Sequence, residues 1–253
     1  MSRFHWPTVF ALLLAGTVAY GLGMPYTLEL APVADLPLSL LAIAFVQGAV
    51  LVLVAVLLGQ YFGRPMDLGA PLVEASLRGE AVGGRLRAVL PVAMASGVAV
   101  GLALLAIDVL LLVVSGEPLA VSGLPALWTR VLATFYGGVF EELLLRYGLM
   151  TTFVWAAWKL TRSPDGGPAK RVVWLAIVLA AVTFALAHLP IAAASGAQIT
   201  PYVVGRALLM NGIAGIVFGW LYWTLGIEAA IVSHWTTDVA LHVVGLSLLD
   251  VVL

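Results

Sequence analysis

The chain alternates long apolar runs with short polar connections. Seven hydrophobic segments stand out, at residues 7–24, 37–62, 89–115, 127–158, 172–190, 203–222 and 227–248. Each lies near the roughly 20 residues that a helix needs to cross a hydrocarbon core. The runs are continuously apolar rather than alternating with period two, so helices are predicted and barrel strands are not. The fourth run is too long for one straight crossing and predicts a tilted helix or one that extends past the bilayer. At the start, Arg3, an apolar stretch and the small residues of GTVA imitate a signal peptide. The stretch nevertheless has the length of a span and no A-x-A site follows, so an uncleaved helix is expected.

Composition agrees with this pattern. Hydrophobic residues make up 62% of the 253 positions and charged ones only 10%, whereas a soluble domain carries about 25% charged residues. The expected fold is an all-α, polytopic helical membrane protein with seven or eight transmembrane helices. It is expected to form a single integral membrane domain over 1–253, with N-terminal spans and an interfacial segment over 1–126 and the polar-bearing helices over 127–248. The net charge of −1 gives no reason to expect nucleic acid. No G-x-x-x-x-G-K-[ST] loop occurs, so no nucleotide is expected. The absence of cysteine excludes disulfides, thiolate metal sites and a cysteine nucleophile.

The connections orient the chain. Residues 64–88 carry Arg64, Arg78, Arg85 and Arg87 in a mixed pattern suited to the membrane interface. Residues 159–171 form a turn-rich loop with Lys159, Arg162, Lys170 and Arg171. The connections 25–36 and 116–126 hold Glu29, Asp35 and Glu117 but no lysine or arginine. The bias of basic residues places the N-terminus and both basic loops in the cytoplasm.

Against this apolar background the stretch FEELLLRYG, residues 140–148, is anomalous. An ionisable residue at the centre of a span costs about 2.5–3.5 kcal/mol on insertion scales. Such residues gather in three late segments: Glu141, Glu142 and Arg146 in the fourth, His188 in the fifth, and His234 and Asp238 in the last, with His242 one turn on. Residues i and i+4 share a helix face, so Glu142 and Arg146 can pair while Glu141 points elsewhere. A carboxylate without an in-register cation, beside water in an apolar-walled cavity, suits a general base. His234 and Asp238 project together, and Asp238 can orient His234 or hold it charged. Pro190 ends the helix that carries His188, which suits a residue lining a cavity. Polar residues in membrane helices also serve as interhelical glue, at roughly 0.6 kcal/mol per bond. That bland role is favoured for His242, Asp108 and Asn211, and for His188 if it stood alone. No H-E-x-x-H pentad and no G-x-S-x-G elbow is present.

In order, Glu141-Glu142-x-x-x-Arg146, Phe184-x-x-x-His188 and His234-x-x-x-Asp238 resemble the motifs of the CPBP family, the CAAX prenyl proteases and bacteriocin-processing (Abi) proteins. The stretch GIVFGWLYWTLGIEAAIVSHWTTD is similar to the approach to that family's last motif, and the resemblance spans roughly residues 127–245. It implies an intramembrane endopeptidase with catalytic-type helices over 127–248, acting on a peptide or membrane-protein substrate among membrane lipid. It further implies that Glu141 activates a water with His188, that His234 and Asp238 stabilise the oxyanion, and that Glu142 and Arg146 support them. An expected location is a prokaryotic plasma membrane. The family's CAAX-processing branch usually has Asn where this chain has Asp238. An ionised Asp cannot donate a hydrogen bond, so Asp238 is expected to orient and charge His234. Members are often labelled metalloproteases. Glu141, His188 and His234 offer a conceivable Glu/His₂ zinc set, and a metal-free glutamate–histidine water is favoured over it. The rival readings are a non-catalytic membrane scaffold or bacteriocin-immunity-type protein of the same fold, and, last, a proton-linked transporter.

Overall fold

The computed structural model describes residues 4–30, 36–115, 124–161 and 166–247. Arg3, Asp35, Glu117, Arg162 and the end of the last predicted run at 248 lie outside the described residues. Every predicted hydrophobic run is helical, and no strand occurs among the described residues. The protein is an all-α polytopic membrane protein.

The first two runs are α1 (Trp6–Leu30) and α2 (Leu38–Gly63), the latter prolonged by a 3₁₀ turn at Arg64–Met66. The short α3 (Pro71–Leu77) precedes the long α4 (Gly83–Ser115). The fourth run is a continuous helical rod of four pieces: α5 (Leu127–Phe135), π-helical segments Tyr136–Glu141 and Leu143–Met150, and α6 (Thr151–Thr161). Next come α7 (Lys170–Ala187), a short α8 (Leu189–Ala194) and α9 (Pro201–Leu225). The chain ends in α10 (Ile227–Asp238), continued by a π-helical segment Val239–Gly245. Five helices are long and apolar enough to cross a membrane. The two remaining runs, at 127–161 and 227–245, carry the acidic and imidazole groups and bury most of them inside the bundle.

Small residues let the backbones approach. Gly97 and Gly101 of α4 lie against α10, and a Cβ at Gly97 would run into the carbonyl of Ser233 and the side chain of Thr236. Thr237 completes this contact by donating from Oγ1 to the Gly97 carbonyl at 3.0 Å. The same spacing recurs on α9, where Gly215 faces Ala181 and Gly219 faces Ile177 of α7. Where water is absent, such close packing is a main source of helix association.

Two carboxylates cap helices that are remote in sequence. Glu29, at the end of α1, accepts from the Ala126 amide at 2.7 Å and the Thr129 hydroxyl at 2.9 Å, satisfying the start of α5. Glu228, in the first turn of α10, accepts from the Leu72 and Val73 amides, both at 2.8 Å, at the start of α3. The 64–88 connection is thereby tied to the α9–α10 turn. Arg206 of α9, which the sequence pattern did not single out, donates to Asp108 Oδ1 of α4 through Nε at 2.8 Å and Nη2 at 2.6 Å.

Gly97→Val is expected to lower stability by about 1–3 kcal/mol through overpacking, measured as the melting temperature in detergent. Unchanged melting would mean that α4 and α10 do not touch there.

Candidate active site

The two π-helical segments place Glu141 and Glu142 in the middle of the rod. Directly before them stand Gly137 and Gly138. A Cβ at Gly138 would meet Trp235, and one at Gly137 would run into the Asp238 carboxylate and approach His234 Nε2. This glycine pair is what brings α10 against the rod. The three motifs do not include it, although two glycines one turn ahead of two adjacent acids are a legible sign of a close helix crossing.

The resulting cluster centres on His234. Its Nδ1 lies 2.7 Å from Glu142 Oε1, and Arg146 Nη1 lies 2.8 Å from the same oxygen. Glu142 and Arg146 are completely buried. The predicted i,i+4 pair is therefore present, but Glu142 also holds an imidazole from another helix. The Arg146 guanidinium sits over Phe184 at 4.6 Å from the ring centre and near Phe218 at 5.4 Å, an arrangement that stabilises a desolvated cation. His234 stacks on Phe218, with centroids 4.5 Å apart, and meets Phe184 edge-on at 5.6 Å.

The opposite ring nitrogen faces the reactive side. His234 Nε2 lies 3.9 Å from Glu141 Oε2 and 3.6 Å from Asp238 Oδ1. A carboxylate at Nδ1 must accept, so Nδ1 carries a hydrogen. Glu142, and not Asp238 as the motif spacing suggested, holds the His234 ring by a hydrogen bond.

His188 follows the last turn of α7 and returns its Nδ1 to the Phe184 carbonyl at 2.8 Å. A carbonyl only accepts, so Nδ1–H donates and Nε2 offers a lone pair. From the sequence, His188 and His234 stand near opposite ends of their spans. In the structure both rings touch Phe184, at 4.7 and 5.6 Å. Side chains lean towards a helix's N-terminus, so His188 folds back along α7. His234 stands two turns into α10.

Residues 123–240 match the family model described as type II CAAX prenyl endopeptidase Rce1-like. This segment is similar to the CAAX-protease family. All three motifs of the CPBP resemblance fall inside it. Neither a curated protein nor a solved structure matches the chain.

The zinc set conceivable for a member of this family is not assembled here. Among the described residues no three His, Asp or Glu side chains are gathered as metal ligands. Glu141, His188 and His234, as they are placed, do not form a metal-ligand set.

Two other polar groups bond to backbone carbonyls. Arg130 of α5, absent from the motif pattern, is buried and donates from Nη1 to the His242 carbonyl at 3.0 Å. Asn211 donates to the Ala207 carbonyl of its own helix at 3.2 Å. Both contacts are helix-stabilising.

Arg146→Ala leaves Glu142 buried with one cationic partner fewer. Removing one member of a buried pair costs about 3–5 kcal/mol, so a large fall in melting temperature is expected. An unchanged melting curve would exclude the pair as a support of the bundle.

Proposed function

We propose that the chain hydrolyses peptide bonds within the membrane, with Glu141 as general base. The supporting observation is the asymmetry of the two neighbouring glutamates. Glu142 is fully buried and held by His234 and Arg146. Glu141 has 18% of its side chain exposed and stands 3.9 Å from His234 Nε2. That gap exceeds a hydrogen bond and suits a water shared between the two groups.

In this mechanism Glu141 accepts a proton from a water as its oxygen attacks the scissile carbonyl carbon. His188 presents its Nε2 lone pair to the same water and orients it. The carbonyl π pair moves onto oxygen, and the oxyanion needs preorganised donors, each worth about 2.7–4 kcal/mol. His234, charged and fixed by Glu142, donates from Nε2. The C–N bond then breaks, and the proton held on Glu141 passes to the leaving amine. The products are a carboxylic-acid-ended and an amine-ended chain, and Glu141 returns to its starting state.

The substrate class follows from the surroundings. A cavity of about 220 Å³ opens between α1 and α2, lined by Tyr20, Met24, Leu40, Leu41, Ala44 and Tyr136 among others. Tyr136 begins the π-helical segment that ends at Glu141. An apolar side chain of a membrane-embedded peptide suits this lining. In this reading the N-terminus lies on the cytoplasmic side, which the bias of basic residues in the connections favours.

Glu141→Ala should lower cleavage of a fluorogenic membrane peptide by at least about 10²-fold, with the protein still folded in detergent. Full activity in this variant would remove the mechanism and leave a scaffold role for the cluster.

A further inference from the structure

Cutting a peptide inside a bilayer needs more than a base. The scissile carbonyl must leave its helical hydrogen bond before it can be attacked. An unwound backbone in hydrocarbon then carries carbonyl and amide groups without partners, and each is costly until something pairs it. A protein that works on such a segment needs a hydrogen-bond donor beside its base and a seat for the neighbouring side chain.

Tyr136 stands where both are needed. It opens the π-helical segment that closes with Glu141. In an α-helix, residues five apart point about 140° away from each other. An i→i+5 ladder instead brings them to successive turns of one side. The π-helical winding therefore turns Tyr136 and Glu141 towards the same side of the rod, and Glu141 is the carboxylate whose charge reaches the Tyr136 phenol. Tyr136 also lines the cavity of about 220 Å³ between α1 and α2. Among the described residues its hydroxyl has no hydrogen-bond partner, and neither has that of Tyr20 on the same cavity. A tyrosine hydroxyl away from water ordinarily finds one. The Thr27 hydroxyl, also at the cavity, is already given to the Gly23 carbonyl at 3.3 Å.

The aromatic wall of the cavity is set firmly. The rings of Tyr20 and Tyr136 lie 6.0 Å apart, and each rests on buried Phe140 at 4.8 Å. Bare backbone makes room for both: a Cβ at Gly23 would run into Tyr136, and one at Gly48 into Tyr20. The facing wall is apolar, with Leu40, Leu41 and Ala44 from the start of α2.

We infer that this cavity seats the side chain that flanks the scissile bond, and that Tyr136 is a substrate-binding residue whose hydroxyl donates to a backbone carbonyl of the unwound segment. The name scissile rests on the proposed hydrolysis; the seat itself does not. The substrate class is a membrane-embedded peptide with a large apolar residue at that position. Alanine there leaves the cavity unfilled.

The test uses the full chain in lipid vesicles and membrane peptides that carry leucine or alanine on either side of the bond in turn. Binding is read as saturable energy transfer from the protein's tryptophans to a dansyl-labelled peptide, and cleavage as release of a fluorogenic group. On one side of the bond, wild type should bind leucine about tenfold better than alanine. Ala44→Phe fills the cavity, so it should erase that preference while binding the alanine peptide like wild type. Leu40→Trp fills the cavity from another position and gives the same reading should Ala44→Phe not fold. Tyr136→Phe keeps the ring and removes only the hydroxyl. It should weaken both peptides alike, by about three- to tenfold, because the backbone is common to them. A wild type indifferent to leucine on both sides overturns the seat, as does a leucine preference that survives the filled cavity. Unchanged binding in Tyr136→Phe overturns the hydroxyl contact. Binding needs no cleavage, so both points are decided even if Glu141→Ala keeps full activity and the hydrolytic mechanism falls.

Discussion

One carboxylate oxygen, Glu142 Oε1, organises the centre of this protein. It takes His234 Nδ1 from one helix and the guanidinium of Arg146 from its own, with no exposure to solvent. Deep in an apolar bundle neither cation is tolerable alone, and Glu142 is tolerable only with them. The aromatic faces of Phe184 and Phe218 complete the shell on the side away from the carboxylate. The close approach of the rod, α7, α9 and α10 follows from this requirement. Their glycines are the means by which the backbones come near enough to meet it.

The separation of roles between neighbouring glutamates is a consequence of helix geometry. Adjacent residues point in different directions, so one carboxylate is committed to the interior while the next reaches the open side of the same imidazole. The imidazole then has two unlike faces, one anchored and one available. Sites that push paired titratable groups apart in this way commonly divide structural from chemical duty.

The helices and the Glu142–Arg146 pair were legible in the sequence because both rest on local periodicity. Length of apolar run gave the spans, and i,i+4 spacing gave the pair. What periodicity does not encode is which helices cross, and at what depth. The bond between Glu142 and His234 joins residues 92 positions apart, and Gly137, Gly138, Gly97 and Gly101 matter only through what they face. That His188 and His234 share Phe184 as a neighbour was hidden for a different reason. Reading depth from Cα position ignores the backward lean of helical side chains, which carries His188 onto the Phe184 carbonyl. Arg130 and Arg206 were overlooked because single charges in long apolar runs looked incidental, yet each has a partner on another helix.

The caps that Glu29 and Glu228 form by accepting from remote helix starts bear on what counts as a folding unit here. The family match covers residues 123–240, yet the first helix of that stretch begins on a carboxylate of α1, and α10 lies against glycines of α4. The matched segment is therefore not packed as a unit of its own. Its scaffold is completed by the N-terminal helices, which supply a carboxylate cap to α5 and a close-packed glycine surface to α10. Cutting the chain at the edge of that segment would strip α5 of its cap and α10 of its bed.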